Sequence, residues 1–333
     1  MTSPPPPHPI TSLSQTFREY GTADRGRTTM NPTLENILDT LRETLANKAL
    51  AAVGSVALLV LLSAWGYVGS RQSEPFTPPL EGAEGVNFVE VNRTLAQTEL
   101  DSFTGWTPND YLPLTAWLDN KQNFQLGVIE TIRFSVRVLR DDLSRQRTTD
   151  QIDDDVKRAF EFYSNDPHKW IFPSYEGRMN EASSALARYV ERLNSDQAKF
   201  YPRSDNLIQL LDQYASLLGA ATTSLTDETL GWLETDDRFY YSKGVAYAMY
   251  IEMQAVQRDF QTVLQKNDGG ELIASIIHEL RDTWFEPTVV LNGDKDGVYA
   301  NHLKNLASDL LRIRQKLNSL SSVLSHTGGS SAG

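Results

Sequence analysis

The 333 residues carry 43 acidic against 31 basic side chains, a net charge of −12, with 40% hydrophobic residues and no cysteine. Such an acidic balance is ill suited to nucleic acid or to anionic lipid heads, both of which are held by neutralising phosphate. The lack of cysteine excludes disulfides, thiolate zinc sites and thiol catalysis, and leaves the compartment open.

Residues 1–29, with Pro4-Pro5-Pro6-Pro7 and no periodic apolar pattern, read as a disordered or polyproline-like tail. From Met30 the pattern becomes orderly. Leu34, Ile37, Leu38, Leu41 and Leu45 fall at helical spacing, so 30–48 reads as a short cytoplasmic helix. Met30 is therefore a second candidate for the start of translation.

The uncharged run from Ala49 to Ser70 lies between Lys48 and Arg71 and ends with Trp65 and Tyr67. About 20 apolar residues at 1.5 Å each cross the roughly 30 Å of bilayer hydrocarbon. A secretory signal has a shorter core and small residues at its exit. Bulky aromatic rings at headgroup level fit an anchor that stays. Arg42 and Lys48 before the run, against Arg71 after it, orient the N-terminus to the cytoplasm and the rest to the periplasm. Five basic and five acidic residues precede the run, so the whole net charge belongs to the C-terminal part of the chain.

Residues 71–107, with Pro75, Pro78, Pro79, Gly82 and Gly85, read as a linker with short elements, and Val86–Val91 is the one candidate strand. Beyond it, 108–325 reads as an all-α multi-helix bundle, ending in a disordered tail at 326–333. Helices are expected over 114–147, 156–163, 179–193, 207–225, 240–264, 272–284 and 302–324.

Two stretches of this bundle, about 115–195 and 230–320, repeat the same landmarks. Trp117, Gly127 and Trp170-x-x-Pro173 in the first answer to Trp232, Gly244 and Trp284-x-x-Pro287 in the second, at offsets of 115, 117 and 114 residues. The pattern predicts two three-helix units about a pseudo-two-fold axis, joined by the helix at 207–225. A glycine inside a helix costs about 1 kcal/mol relative to alanine, so Gly127 and Gly244 predict a close helix crossing. Pro173 and Pro287 are expected to stop helices, with Trp170 and Trp284 capping the core.

Arg133, Arg137 and Arg140 stand on one helix face, where they would hold an anionic ligand or pair locally with Glu130, Asp141 and Asp142. Asn292, Asp294 and Asp296 before Gly297 match the front of a calcium loop, but Leu303 stands where the bidentate Glu belongs. A polar turn explains the same residues. His278-Glu279 begins like a zinc-protease helix, yet Asp282 replaces the second histidine. His168 and His302 fall near two inter-helix turns that the repeat would bring together, where the readings are a metal pair or, as expected, ordinary surface histidines. Asp153-Asp154-Asp155 reads as a helix start, and Asp119 with Glu234 is the carboxylate pair to test for hydrolysis. No phosphate loop, nucleophile elbow or dinucleotide fingerprint occurs, so no cofactor is expected.

The segments Pro108-Asn109-Asp110, Trp117-Leu118-Asp119-Asn120, Phe124-Gln125-Leu126-Gly127-Val128 and Lys169-Trp170-Ile171-Phe172-Pro173-Ser174 resemble a proteobacterial domain-of-unknown-function family. So do Tyr201-x-Arg203-x-Asp205-Asn206-Leu207 and Val289-Val290-Leu291-Asn292-Gly293. The resemblance implies a single-span inner-membrane protein with an all-helical C-terminal domain, and it brings no activity or catalytic residues. Together these readings predict a structural or interaction module of the cell envelope, with the bilayer and an envelope protein as partners. The alternative is a periplasmic ligand-binding domain for an anion, and a hydrolase ranks last.

Overall fold

A computed structural model describes residues 31–110, 119–147, 150–227, 231–285, 287, 290 and 301–329. Among them the chain is helical throughout, with no strand. Two compact units divide at Leu62/Ser63.

Helix α1 runs unbroken through Pro32–Gly69, so the two segments expected at 30–48 and 49–70 form one element. No proline or glycine pair interrupts it, and Leu50, Val53, Leu58, Leu59, Val60 and Leu61 are all exposed. It is long and apolar enough to cross a membrane.

Among the described residues the second unit holds nine further helices. They are α2 (Val86–Leu100), α3 (Asp119–Val138), α4 (Asp154–Tyr163), α5 (Tyr175–Asn194), α6 (Ser204–Leu225), α7 (Trp232–Asp259), α8 (Gln261–Lys266), α9 (Gly270–Asp282) and α10 (His302–Gly329). Helix α3 closes in a wider π turn, Leu139–Leu143, in which Ser144 N donates to Leu139 O at 2.9 Å.

Residues 71–85 are free of helix, as expected of a linker, but the candidate strand Val86–Val91 is the first part of a core helix. In α2, Phe88, Val89, Val91, Leu95 and Ala96 are buried, and burial on a helical stripe outweighs the strand preference of valine. Its start is shaped by Gly85 at φ +85°, where a Cβ would lie 2.2 Å from the Phe200 ring, so only glycine fits. The side chain of Asp259, at the end of α7, accepts from Phe88 N at 2.8 Å and from Asn87 Nδ2 at 2.6 Å. A carboxylate from the opposite half of the bundle thus caps α2.

Packing repeats between the halves. Helix α2 packs on α5 and α3, α3 on α4, and α4 on α5; likewise α6 packs on α10 and α7, α7 on α9, and α9 on α10. Each half therefore has four principal helices. The expected joining helix, α6, holds in the second half the place that α2 holds in the first. The halves meet where α3 crosses α7, and the ends cross over: Asp259 caps α2, while Asn206 at the start of α6 donates to Asp142 O at 3.2 Å.

The tryptophans of the two halves part company. Trp284 packs its ring against Phe124 (6.0 Å) and Tyr247 (5.7 Å), as expected of a core cap. Trp170 does not cap the core; it is 62% exposed. Pro173 lies in the loop before α5 rather than at the end of a helix.

Candidate functional site

The arginine stripe is occupied locally. Arg133 pairs with Glu130 at 2.8 Å, and Arg140 grips Asp141 through two bonds of 2.7 Å while its guanidinium lies 4.0 Å over the Phe160 ring. Arg137 donates to Gln213 on α6 and stacks 4.5 Å over Phe134. The polar hollow nearby, between Arg145, Asp153, Arg192, Lys199 and Tyr201, opens to solvent, and ion pairs run along it. There Asp153 caps α4 as expected, accepting from Asp155 N and Val156 N, and takes two 2.7 Å bonds from Arg192. Burial works against its charge, but Arg192 and the helix N–H groups hold its carboxyl below the ordinary value.

The other residues singled out in the sequence are scattered. Trp117, Asn292, Asp294 and Asp296 lie outside the described residues. His278 pairs with Asp282 at 3.1 Å on an exposed face, and His168 Nδ1 meets Pro108 O at 2.9 Å. Among the described residues no group of three His, Asp or Glu side chains is arranged to hold a metal. Asp119 stands near Asp237, and Asn123 Nδ2 bridges them, reaching Asp237 Oδ1 at 2.8 Å. Burial and the neighbouring Asp119 push the Asp237 carboxyl up to about 7.

Two polar groups lie deep in the bundle. Ser135 on α3 and Tyr214 on α6 both donate to Glu252 on α7. Burial raises Glu252 to about 7, against the lowering effect of the two hydroxyls. Glu99 on α2 is also buried, and desolvation raises its carboxyl; Ser73, Gln125 and the Lys121 ammonium temper that rise. Lys121 is pulled down by burial in turn. Lys243 sits 3.9 Å over the Trp284 ring, a cation–π contact inside the same core. These groups tie α2, α3, α6 and α7 together, so their arrangement is that of interior struts.

Among the described residues, one outward apolar feature of the bundle is the loop from Asp166 to Ser174. Trp170, Ile171 and Phe172 stand in succession at 62%, 56% and 97% exposure. The backbone beneath them is held firmly: Tyr175 N donates to Lys169 O at 2.8 Å and Lys169 N to Asp166 O at 3.2 Å. Trp106 Nε1 donates to Pro167 O at 2.9 Å, and Asn109 Nδ2 to Lys169 O at 3.2 Å. The 101–110 segment that braces the loop carries a further exposed ring, Phe103. The loop thus presents three large apolar side chains in succession on a hydrogen-bonded backbone.

Sequence reasoning placed Trp170 in the core by analogy with Trp284 and missed Ile171, Phe172 and Phe103. The available signal was three consecutive large apolar residues between Pro167 and Pro173, without the period of either helix or strand.

Neither the curated proteins nor the solved structures give a match to the chain. A family model does, over residues 79–229 and 221–327, segments that together take in nearly all of the bundle. The chain belongs to that family, DUF2333, described as an uncharacterized protein conserved in bacteria.

Proposed function

We propose that this chain is a membrane-anchored interaction module of the bacterial cell envelope, whose bundle stands on the periplasmic side and docks an envelope protein. The observation that carries this reading is α1: one uninterrupted helix whose apolar side chains from Leu50 to Leu61 are exposed. Outward-facing leucine and valine on that scale fit a helix whose solvent is lipid. The interior groups favour the same reading, since Glu252 is held by hydroxyls from two other helices, while Arg133 and Arg140 pair with acids of their own segment and Arg137 donates to Gln213 on α6. The basic bias around the span, Arg42 and Lys48 against Arg71, supports the orientation.

The test is crosslinking in intact cells, then purification through a C-terminal tag, paired with phosphatase and fluorescent-protein fusions at the same end. An active phosphatase fusion and a stoichiometric envelope partner support the reading. A fluorescent C-terminal fusion with cytoplasmic partners overturns it.

A further inference from the structure

The loop at Trp170–Phe172 has a definite position relative to the end of α1. Gly66 and Gly69, in the last turn of that helix, are buried. Thr104 Oγ1 donates to Gly69 O at 3.4 Å, so the turn that carries exposed Phe103 touches the residue at which the apolar helix ends. The same segment then holds the aromatic loop through Trp106 to Pro167, Pro108 to His168 and Asn109 to Lys169. Two exposed apolar elements therefore share one brace, and that brace sits against the exit of the span.

We propose that Phe103 and the Trp170-Ile171-Phe172 loop insert into the interface of the bilayer that α1 crosses, giving the bundle a second membrane contact. The inference rests on the anchored reading above and adds a surface to it. The residue types fit the occupant: tryptophan and phenylalanine bury their rings at the headgroup boundary, while Lys169 beside them carries a cation suited to phosphate. The rigid backbone fits as well, because a loop already fixed in its inserted shape loses little conformational entropy on binding. The stretch that would insert, His168 to Ser174, contains no acid, and Asp166 and Asp101 flank the two elements rather than lying in them.

The absence of cysteine makes the test direct. Full-length Ile171→Cys, Phe103→Cys and Ser195→Cys variants are each labelled with an environment-sensitive fluorophore. They are then reconstituted into vesicles of phosphatidylethanolamine and phosphatidylglycerol, with and without headgroup-level spin-labelled lipid. Ser195 lies just past the far end of α5, which leads away from the loop for 20 residues, about 30 Å. Flotation reads the anchor and fluorescence reads the loop. Blue-shifted emission at 171 and 103, quenched several-fold by the spin label while 195 is unaffected, supports the proposal. If the protein floats with the vesicles but all three labels stay hydrated, the loop proposal is overturned and the anchor stands. Protection at 171 in native membranes but not in pure lipid assigns the loop to a protein partner and overturns it too. A protein that does not float overturns both.

Discussion

Gly127 and Gly244 face each other's backbone reciprocally across the α3–α7 crossing. A Cβ on Gly127 would lie 2.1 Å from the carbonyl oxygen of Tyr241, and a Cβ on Gly244 would lie 2.1 Å from that of Phe124. Each clash falls three residues before the other glycine, so the contact is two-fold related. Backbone cannot yield as a side-chain tip can. Gly127→Ala and Gly244→Ala are each expected to destabilise the bundle by about 3 kcal/mol. Once one methyl has forced the helices apart, the second costs less, so the double variant should fall short of the sum. Denaturant titration of the full chain in detergent checks both statements.

Glu252 makes stability depend on pH. Its carboxyl titrates at about 7 in the bundle against 4.5 for an ordinary glutamate, so the folded chain binds the proton more tightly than the unfolded one. The contribution is complete below about pH 4.5 and is lost as pH rises through 7, by roughly 3 kcal/mol at most. Glu252→Gln keeps an acceptor for Ser135 and Tyr214 and removes the titration. Its melting temperature should match the parent's near pH 5 and exceed it at pH 8. Equal differences at both pH values would show that Glu252 does not titrate in this range.

The corresponding tryptophans should behave oppositely. Trp284→Ala removes a ring packed on Phe124, Tyr247 and Lys243 and is expected to cost about 3 kcal/mol. Trp170→Ala should cost clearly less, about 1 kcal/mol, because more than half of its side chain is in solvent. Thermal melts of the two variants, side by side in detergent, decide this.

Asp259 holds the first turn of α2 from across the bundle. Asp259→Ala leaves the Phe88 N–H without its acceptor and removes one of the bonds donated by the Asn87 amide, at a cost of about 2 kcal/mol. Asp259→Asn should restore part of it. Hydrogen exchange at the start of α2 is the direct measurement, and it should quicken more in the alanine variant than in the asparagine one.

The amphipathic helices α4, α5, α6, α9 and α10 were legible because their apolar residues recur at helical spacing and their caps, such as Asp153, lie within a few residues. The glycine crossing was legible for a different reason: a costly residue at matching places in two long helices needs a cause. Helix α2 was not, since its valines, following a Pro- and Gly-rich linker, imitate a strand. What makes it a helix is burial against α5 and α7, which no local window contains. The same holds for Glu252, whose partners Ser135 and Tyr214 lie 117 and 38 residues away. Trp170 was misplaced because the repeat carries residue type but not depth. The loop it belongs to fills no gap in the interior.

The crossing of α3 and α7 also bears on how the chain reaches its fold. The facing glycines are 117 residues apart, and the cap of α2 lies 171 residues beyond the amide it satisfies. The first half therefore cannot close its interior when its own helices are complete. It must wait for α7, which at bacterial synthesis rates of about 5–20 residues per second arrives roughly 10 seconds later. During that interval the inner faces of α2 and α3 are uncovered. A nascent chain of this kind calls for a holding chaperone until its second half emerges, and truncation before α7 should yield an aggregating fragment rather than a small folded domain.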